Sequence, residues 1–145
     1  KKDGGIKINF RGTKMTVKVS GTDSENKYTL MEMIHPPNVG PALHTHSKAH
    51  EAYYVLDGEY SIRCGNKTYL AHVGEFVFIP KYVHHNYQSG LNGGKVLIIS
   101  PRGLEGYFKE VADILYTQHK LEWNEEVEIA RRYGQEFLDN LRHWS

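Results

Sequence analysis

A chain of 145 residues suits one domain with a real core and is short for two. Apolar residues make up 39% and charged residues 24%, which excludes the composition of a disordered chain. A formal charge of +1 gives no electrostatic reason to expect nucleic acid or a membrane surface as partner.

No apolar run approaches the roughly 18 residues of a spanning helix. The start, Lys1-Lys2-Asp3-Gly4-Gly5, has no apolar signal stretch. Cys64 is the single cysteine, so no disulfide within the chain can form; this fits a reducing, cytoplasmic location, which is the expectation.

From Ile6 to about Ser100 the chain reads as short strands between turn signals. Residues 16–20 alternate with period two and stop at Gly21-Thr22-Asp23-Ser24. Residues 28–34 form a second β-rich run, ended by Pro36-Pro37-Asn38, and residues 51–56 a third, closed by Asp57-Gly58. Residues 60–63 and 67–70 flank Cys64-Gly65-Asn66, where Gly-Asn predicts a hairpin turn. Residues 76–79 end at Pro80, and residues 95–100 end at Pro101. Many short strands with Gly/Pro turns predict an all-β sandwich or barrel.

After Pro101 the pattern changes. Leu104, Phe108, Val111, Ala112 and Leu115 lie at helical spacing, so residues 104–116 read as an amphipathic helix. Asn124 before Glu125-Glu126 reads as a second N-cap, and Val127, Ala130, Phe137 and Leu141 continue a helical stripe broken at Tyr133-Gly134. These helices are expected to cover the open end or outer face of the barrel. No repeat or linker appears, so residues 1–145 read as a single domain with a barrel core at about 6–100 and a helical extension at about 104–143.

Nine histidines are present, six of them between residues 44 and 85, with ten tyrosines in the chain. Imidazole suits borderline metals and proton transfer, and tyrosine joins an apolar ring to a polar tip; the pairing points to a small-molecule site. In a strand, residues i and i+2 share a face, so His44 and His46 can present two imidazoles to one ion. Four residues between His46 and Glu51 allow a bend that returns the carboxylate to the same point. Further on, Pro80 ends a strand and His84-His85 follow a short turn. Three imidazoles and one carboxylate suit Fe, Mn, Ni, Co, Cu or Zn, with positions left for substrate or water.

These two blocks resemble the cupin family at its defining residues. His44-x-His46, four residues, Glu51, six residues and Gly58 match the first motif, with Gly40 two positions closer to the first His than usual. Gly74, Pro80 and His85 match the second, where Tyr82 stands for a Gly and Ser89 for an Asn. Further segments (residues 19–32, 50–58 and 101–108) are similar to small single-domain cupins of the quercetin 2,3-dioxygenase kind. The resemblance implies a jelly-roll β-barrel, or double-stranded β-helix, with one divalent metal held inside by His44, His46, Glu51 and His85. It also implies that Glu51 accepts the proton of a substrate hydroxyl, and that two copies dimerise through sheet contacts, for which residues 6–19 offer a strand to exchange or add.

Within the blocks, His50 and His84 are the rivals of Glu51 and His85. Strand parity sends neighbours to opposite faces, and the spacing to Gly58 favours Glu51. His35, His72, His119 and His143 lie outside both motifs and are expected at the surface or in capping roles. Cys64 is expected to be a free thiol with no task. Met31, Met33, Tyr53, Phe76, Phe78 and Tyr82 are the candidate walls of an apolar, aromatic substrate pocket, against which stands ordinary core packing. The expected function is a metal-dependent dioxygenase acting on a small aromatic or enolisable substrate; a metal-dependent isomerase or lyase and a non-catalytic binding protein are the alternatives.

Overall fold

The computed structural model describes residues 4–142; His143 and the last position of the expected helical extension lie outside them. Two hairpin-linked strands, β1 (Ile6–Phe10) and β2 (Thr13–Val19), lead to β3 (Thr29–His35) and the short β4 (His44–His46). Next come β5 (Glu51–Cys64), β6 (Lys67–Ala71), β7 (Phe76–Ile79) and β8 (His85–Ser100). The chain ends in α1 (Leu104–Gln118), α2 (Trp123–Arg132) and β9 (Gln135–Phe137). All pairings are antiparallel. They give one curled sheet in the order β1-β2-β3-β8-β4-β9, with β5 joining β6, β7 and β8. The architecture is the jelly-roll barrel that the strand pattern and the resemblance predict.

Strand-length alternation builds the interior. Met15 and Val17 on β2, Met31 and Met33 on β3, Tyr53 and Val55 on β5, and Val96 and Ile98 on β8 are all buried at i, i+2 spacing. The Gly65-Asn66 hairpin is present, closing the Cys64–Lys67 pair. Two segments read from sequence as separate strands are in fact one, β5, which runs 14 residues through Asp57-Gly58, and β8 is 16 residues long, beginning upstream at His85. The turn signals mark bends instead of breaks. β5 shifts register against β8 between Val55 and Asp57 and again between Gly58 and Tyr60. At that bend the backbones nearly touch: a Cβ on Gly58, which has φ 71°, would stand 2.5 Å from the Gly93 carbonyl oxygen. Only glycine fits this approach. Folding both long strands over returns their far ends to one interior, with Glu51 at one end of β5 and His85 at the opposite end of β8.

α1 packs Tyr107, Phe108 and Val111 inward, and the Phe108 ring meets Phe10 edge-on at 5.0 Å. α2 begins two residues earlier than expected. Its N-cap is Glu122, not Asn124, because Glu122 and Glu125 form a reciprocal capping box that satisfies two free backbone donors. The expected helical stripe through Phe137 and Leu141 is also corrected. Gly134 adopts φ 78° and ends α2, after which Gln135–Phe137 pair with the free edge of β4, His44 opposite Phe137 and His46 opposite Gln135. An open strand edge is a stronger attractor than a weak helical period. Leu141 is exposed.

The helical segment is tied to the barrel by Arg11, in the β1–β2 turn, which pairs with Glu126 of α2; both side chains are buried. Removing one member of such a pair leaves an uncompensated buried charge. Glu126→Gln is therefore expected to lower stability by about 3 kcal/mol, measured by urea unfolding; a loss below about 1 kcal/mol would contradict this anchoring role.

Candidate metal centre

β4 presents His44 and His46 to the interior while Thr45 between them is half-buried. Glu51 begins β5 and His85 begins β8, opposite His44 in the ladder. One ligand atom from each of His44, His46, Glu51 and His85 lies within 4.8 Å of the others, and all four side chains are buried. His85 Nε2 is 3.2 Å from Glu51 Oε1, and His46 Nε2 is 3.2 Å from Glu51 Oε2.

Backbone carbonyls orient two of the rings. His44 Nδ1 donates to the Ala42 carbonyl at 2.8 Å, and His85 Nδ1 donates to the Val83 carbonyl at 2.9 Å. With Nδ1 carrying the proton, Nε2 keeps its lone pair and points inward, the arrangement of a ligating imidazole. Burial, followed by the neighbouring His85 and His46, holds the His44 pKa well below its ordinary value, so the ring is neutral. Burial pushes the Glu51 carboxyl up, but the adjacent His46 and His85 rings outweigh it and hold the group well below the usual range. Glu51 is thus a carboxylate. Tyr53 donates its hydroxyl to Glu51 Oε1, and burial with the adjacent carboxylate keeps that phenol protonated. Both ring nitrogens of His46 are buried with no hydrogen-bond partner. Three inward-facing imidazoles, an ionised carboxylate and the buried, unpartnered nitrogens of His46 fit the donor set of a divalent transition metal.

The cluster faces a cavity lined by Met33, Tyr53 and Tyr87 from the barrel and by Leu104, Tyr107 and Phe108 from α1, with Gln135 of β9 also on its wall. The helical segment therefore covers the open end of the barrel. Of the six expected pocket residues, Met33 and Tyr53 line this cavity. Met31 is fully buried in the core beside it. Phe76, Phe78 and Tyr82 do not belong to it: they are 57%, 53% and 66% exposed. The β5–β7 register explains the first two. Glu51 pairs with Ile79 and Tyr53 with Val77, so the inward face of β7 carries Val77 and Ile79, and both phenylalanines stand outside with Tyr54. Tyr82 takes φ 70° and donates its amide to the His46 carbonyl at 3.0 Å, which explains why glycine suits this position. Ser89, in place of Asn, bonds the Pro36 carbonyl and the Val39 amide.

Parity separates the rival histidines as expected. His50 is exposed and accepts the Lys81 amide at 2.8 Å, and His84 is not in the cluster. His72 and His119 are exposed, and His119 caps α1. His35 is a correction: at 3% exposure it is core, its Nδ1 2.7 Å from the Tyr60 hydroxyl and its Nε2 3.1 Å from the Tyr87 hydroxyl. It lies on the inner face of β3 with Met31 and Met33, a parity that sequence alone displays. Tyr87 shares the face of His85 two residues on, the same signal. Leu104 and Phe108 were visible only as a helical stripe, and Gln135 carried no signal.

Comparison with known proteins agrees with this geometry. The family described as Cupin domain matches residues 31–99. A structure described as a predicted oxalate decarboxylase from Thermotoga maritima is 26% identical, covers 65% of this chain and 88% of its own, and has a TM-score of 0.58. An RmlC-like cupin from Shewanella frigidimarina is 16% identical over 72% and 90% of the two chains, with a TM-score of 0.58. The polyketide cyclase RemF from Streptomyces resistomycificus is 23% identical over 65% and 68%, with a TM-score of 0.54. No curated protein matches the chain. Residues 31–99 thus match a cupin domain, and the fold is that of the cupin structures it resembles.

Burial lowers the His35 pKa from 6.5 to about 3. Between those values the unfolded state holds one proton more than the folded state. Stability therefore falls as pH drops from 6.5 toward 3, by up to about 1.4 kcal/mol per pH unit from this group, and does not change with it above 6.5. Urea unfolding at pH 7 and pH 5 should show a smaller loss for His35→Gln than for the parent. Equal losses would contradict the assignment.

Proposed function

We propose that this chain is a metal-dependent enzyme, a dioxygenase of the quercetinase-like kind acting on a small aromatic or enolisable substrate. The observation that carries the reading is the buried carboxylate of Glu51 among three imidazoles at the wall of a cavity. His44, His46, Glu51 and His85 would hold one divalent ion, which supplies Lewis acidity toward a substrate hydroxyl or enol oxygen.

The chain's own residues then have defined tasks. Glu51 accepts the proton of that hydroxyl through a carboxylate oxygen. Tyr53 holds Oε1 by its hydrogen bond, which fixes the carboxylate's orientation. The buried walls contributed by Met33, Leu104 and Phe108 exclude water and strengthen each polar contact. Dioxygen is the oxidant, the substrate is oxidised, and both oxygen atoms end in product. Low polarity around the cluster suits a step in which bulk water would compete.

A second reading, a metal-dependent lyase or isomerase, uses the same residues with no oxidant. It is favoured by the likeness to the structure described as a predicted oxalate decarboxylase.

Protein loaded in turn with Fe, Mn, Ni, Co, Cu and Zn, mixed with a panel of flavonols, catechols and small diones, tests the reading by oxygen uptake. The expected result is oxygen consumption coupled to loss of one panel member. Glu51→Gln should reduce that rate by at least about 100-fold. Turnover under anaerobic conditions would establish the second reading, and no chemistry with any loaded metal would overturn both.

A further inference from the structure

The four residues of the cluster lie within the matched residues 31–99, yet several walls of its cavity do not. Ser100 ends β8 just after residues 31–99, and Leu104, Tyr107 and Phe108 follow from α1. Ser100 lines the cavity, is 1% exposed, and its Oγ is buried with no hydrogen-bond partner. Its ladder partner Thr29 does not relieve it, because the Thr29 hydroxyl is engaged with Glu105 and the Gly103 amide. On the other side, Ala52 pairs with Ile99, and one further step in that register sets Ser100 beside Glu51. Side chains opposite one another on neighbouring strands have Cβ atoms about 4.5–5.5 Å apart.

An unpaired buried hydroxyl weakens a fold, and alanine in the same space does not carry that penalty. Its place beside the carboxylate, facing a cavity, gives it a use. The cavity is also small. Its free volume is about 20 Å³, against roughly 10–15 Å³ needed for one water on the same measure. The wall that restricts it is firmly built: Phe108 packs edge-on against Phe10 at 5.0 Å and lies 5.1 Å from Tyr107.

We propose that the Ser100 hydroxyl receives the polar group of the ligand beside the metal cluster, and that Leu104 and Phe108 restrict that ligand to a compact oxygen-bearing chelator, such as a short keto acid or dione, excluding ring systems. The proposal rests on the metal reading above and narrows its substrate class to the enolisable members, against the aromatic ones. The residues that bind metal belong to the cupin motifs, whereas the residues that select the ligand come from Ser100 onward.

The test uses the full chain loaded with cobalt(II) and two chelating probes, acetohydroxamate and benzohydroxamate, titrated by the cobalt absorption spectrum. The parent should bind acetohydroxamate at least tenfold more tightly. Ser100→Ala should leave cobalt affinity unchanged, keep or raise Tm, and weaken acetohydroxamate about three- to tenfold. A merely structural hydroxyl would instead lower Tm and leave probe binding alone. Leu104→Ala should narrow the preference between the probes at least fivefold, and Leu104→Val, a smaller change in packing, should narrow it less. Equal affinity of the parent for both probes, or unchanged acetohydroxamate binding in Ser100→Ala, would overturn this inference while leaving the metal reading intact. Failure to take up cobalt would overturn both.

Discussion

A carboxylate buried at the centre of the barrel is the constraint on which the rest depends. Placing an ionised Glu51 out of water costs several kcal/mol unless hydrogen bonds and positive charge compensate it. The barrel supplies the Tyr53 hydroxyl, which donates to Oε1, and sets the His85 and His46 rings 3.2 Å from the two carboxylate oxygens. Among the described residues no lysine or arginine pairs with this carboxylate, whose ion-pair neighbours are His46 and His85. Two of the rings are held with Nδ1 on a backbone carbonyl, so their free nitrogens offer lone pairs. The missing counter-charge and the excess of lone pairs would be resolved together by a divalent cation. This is why the arrangement reads as a metal centre and not as a structural salt bridge.

The fold serves this arrangement by bending. In straight strands, the Glu51 end of β5 and the His85 end of β8 would be far apart, because β5 and β8 run antiparallel from Ala52–Ile99 to Cys64–His85. The close approach of Gly58 to Gly93 and Gly94 lets both strands turn over, and the ends meet inside. The C-terminal segment then finishes the site. β9 completes the edge of β4, α1 forms a wall, and Arg11 with Glu126 ties α2 to the barrel. On the proposed reading, selectivity and metal binding are carried by different stretches of chain.

Much of this was legible in the sequence, for reasons that can be named. The two motifs state ligand identity through spacing, and period-two parity chose Glu51 over His50 and His85 over His84 correctly as to which residues face the interior. Parity failed at Phe76 and Phe78 because their shared face was recognised without the register that decides which face points inward. That register, Glu51 with Ile79, is a tertiary fact. His35 was assigned to the surface by its distance from the motifs, although its spacing from Met31 and Met33 placed it inside. The helical period of Phe137 and Leu141 was a false signal, since the free edge of β4 exists only after the barrel forms. Ser100 looked like the end of a strand before Pro101; nothing in its neighbours shows that its hydroxyl lacks a partner.

The central claim is that one divalent ion is held by three imidazoles and one carboxylate. X-ray absorption spectroscopy on cobalt-loaded protein tests it most directly. The account predicts one ion per chain with a first shell of three imidazole nitrogens and carboxylate oxygen at about 2.0–2.2 Å, lost in His44→Ala and His85→Ala. A shell of water oxygens alone, or an imidazole signal that survives both substitutions, would contradict it.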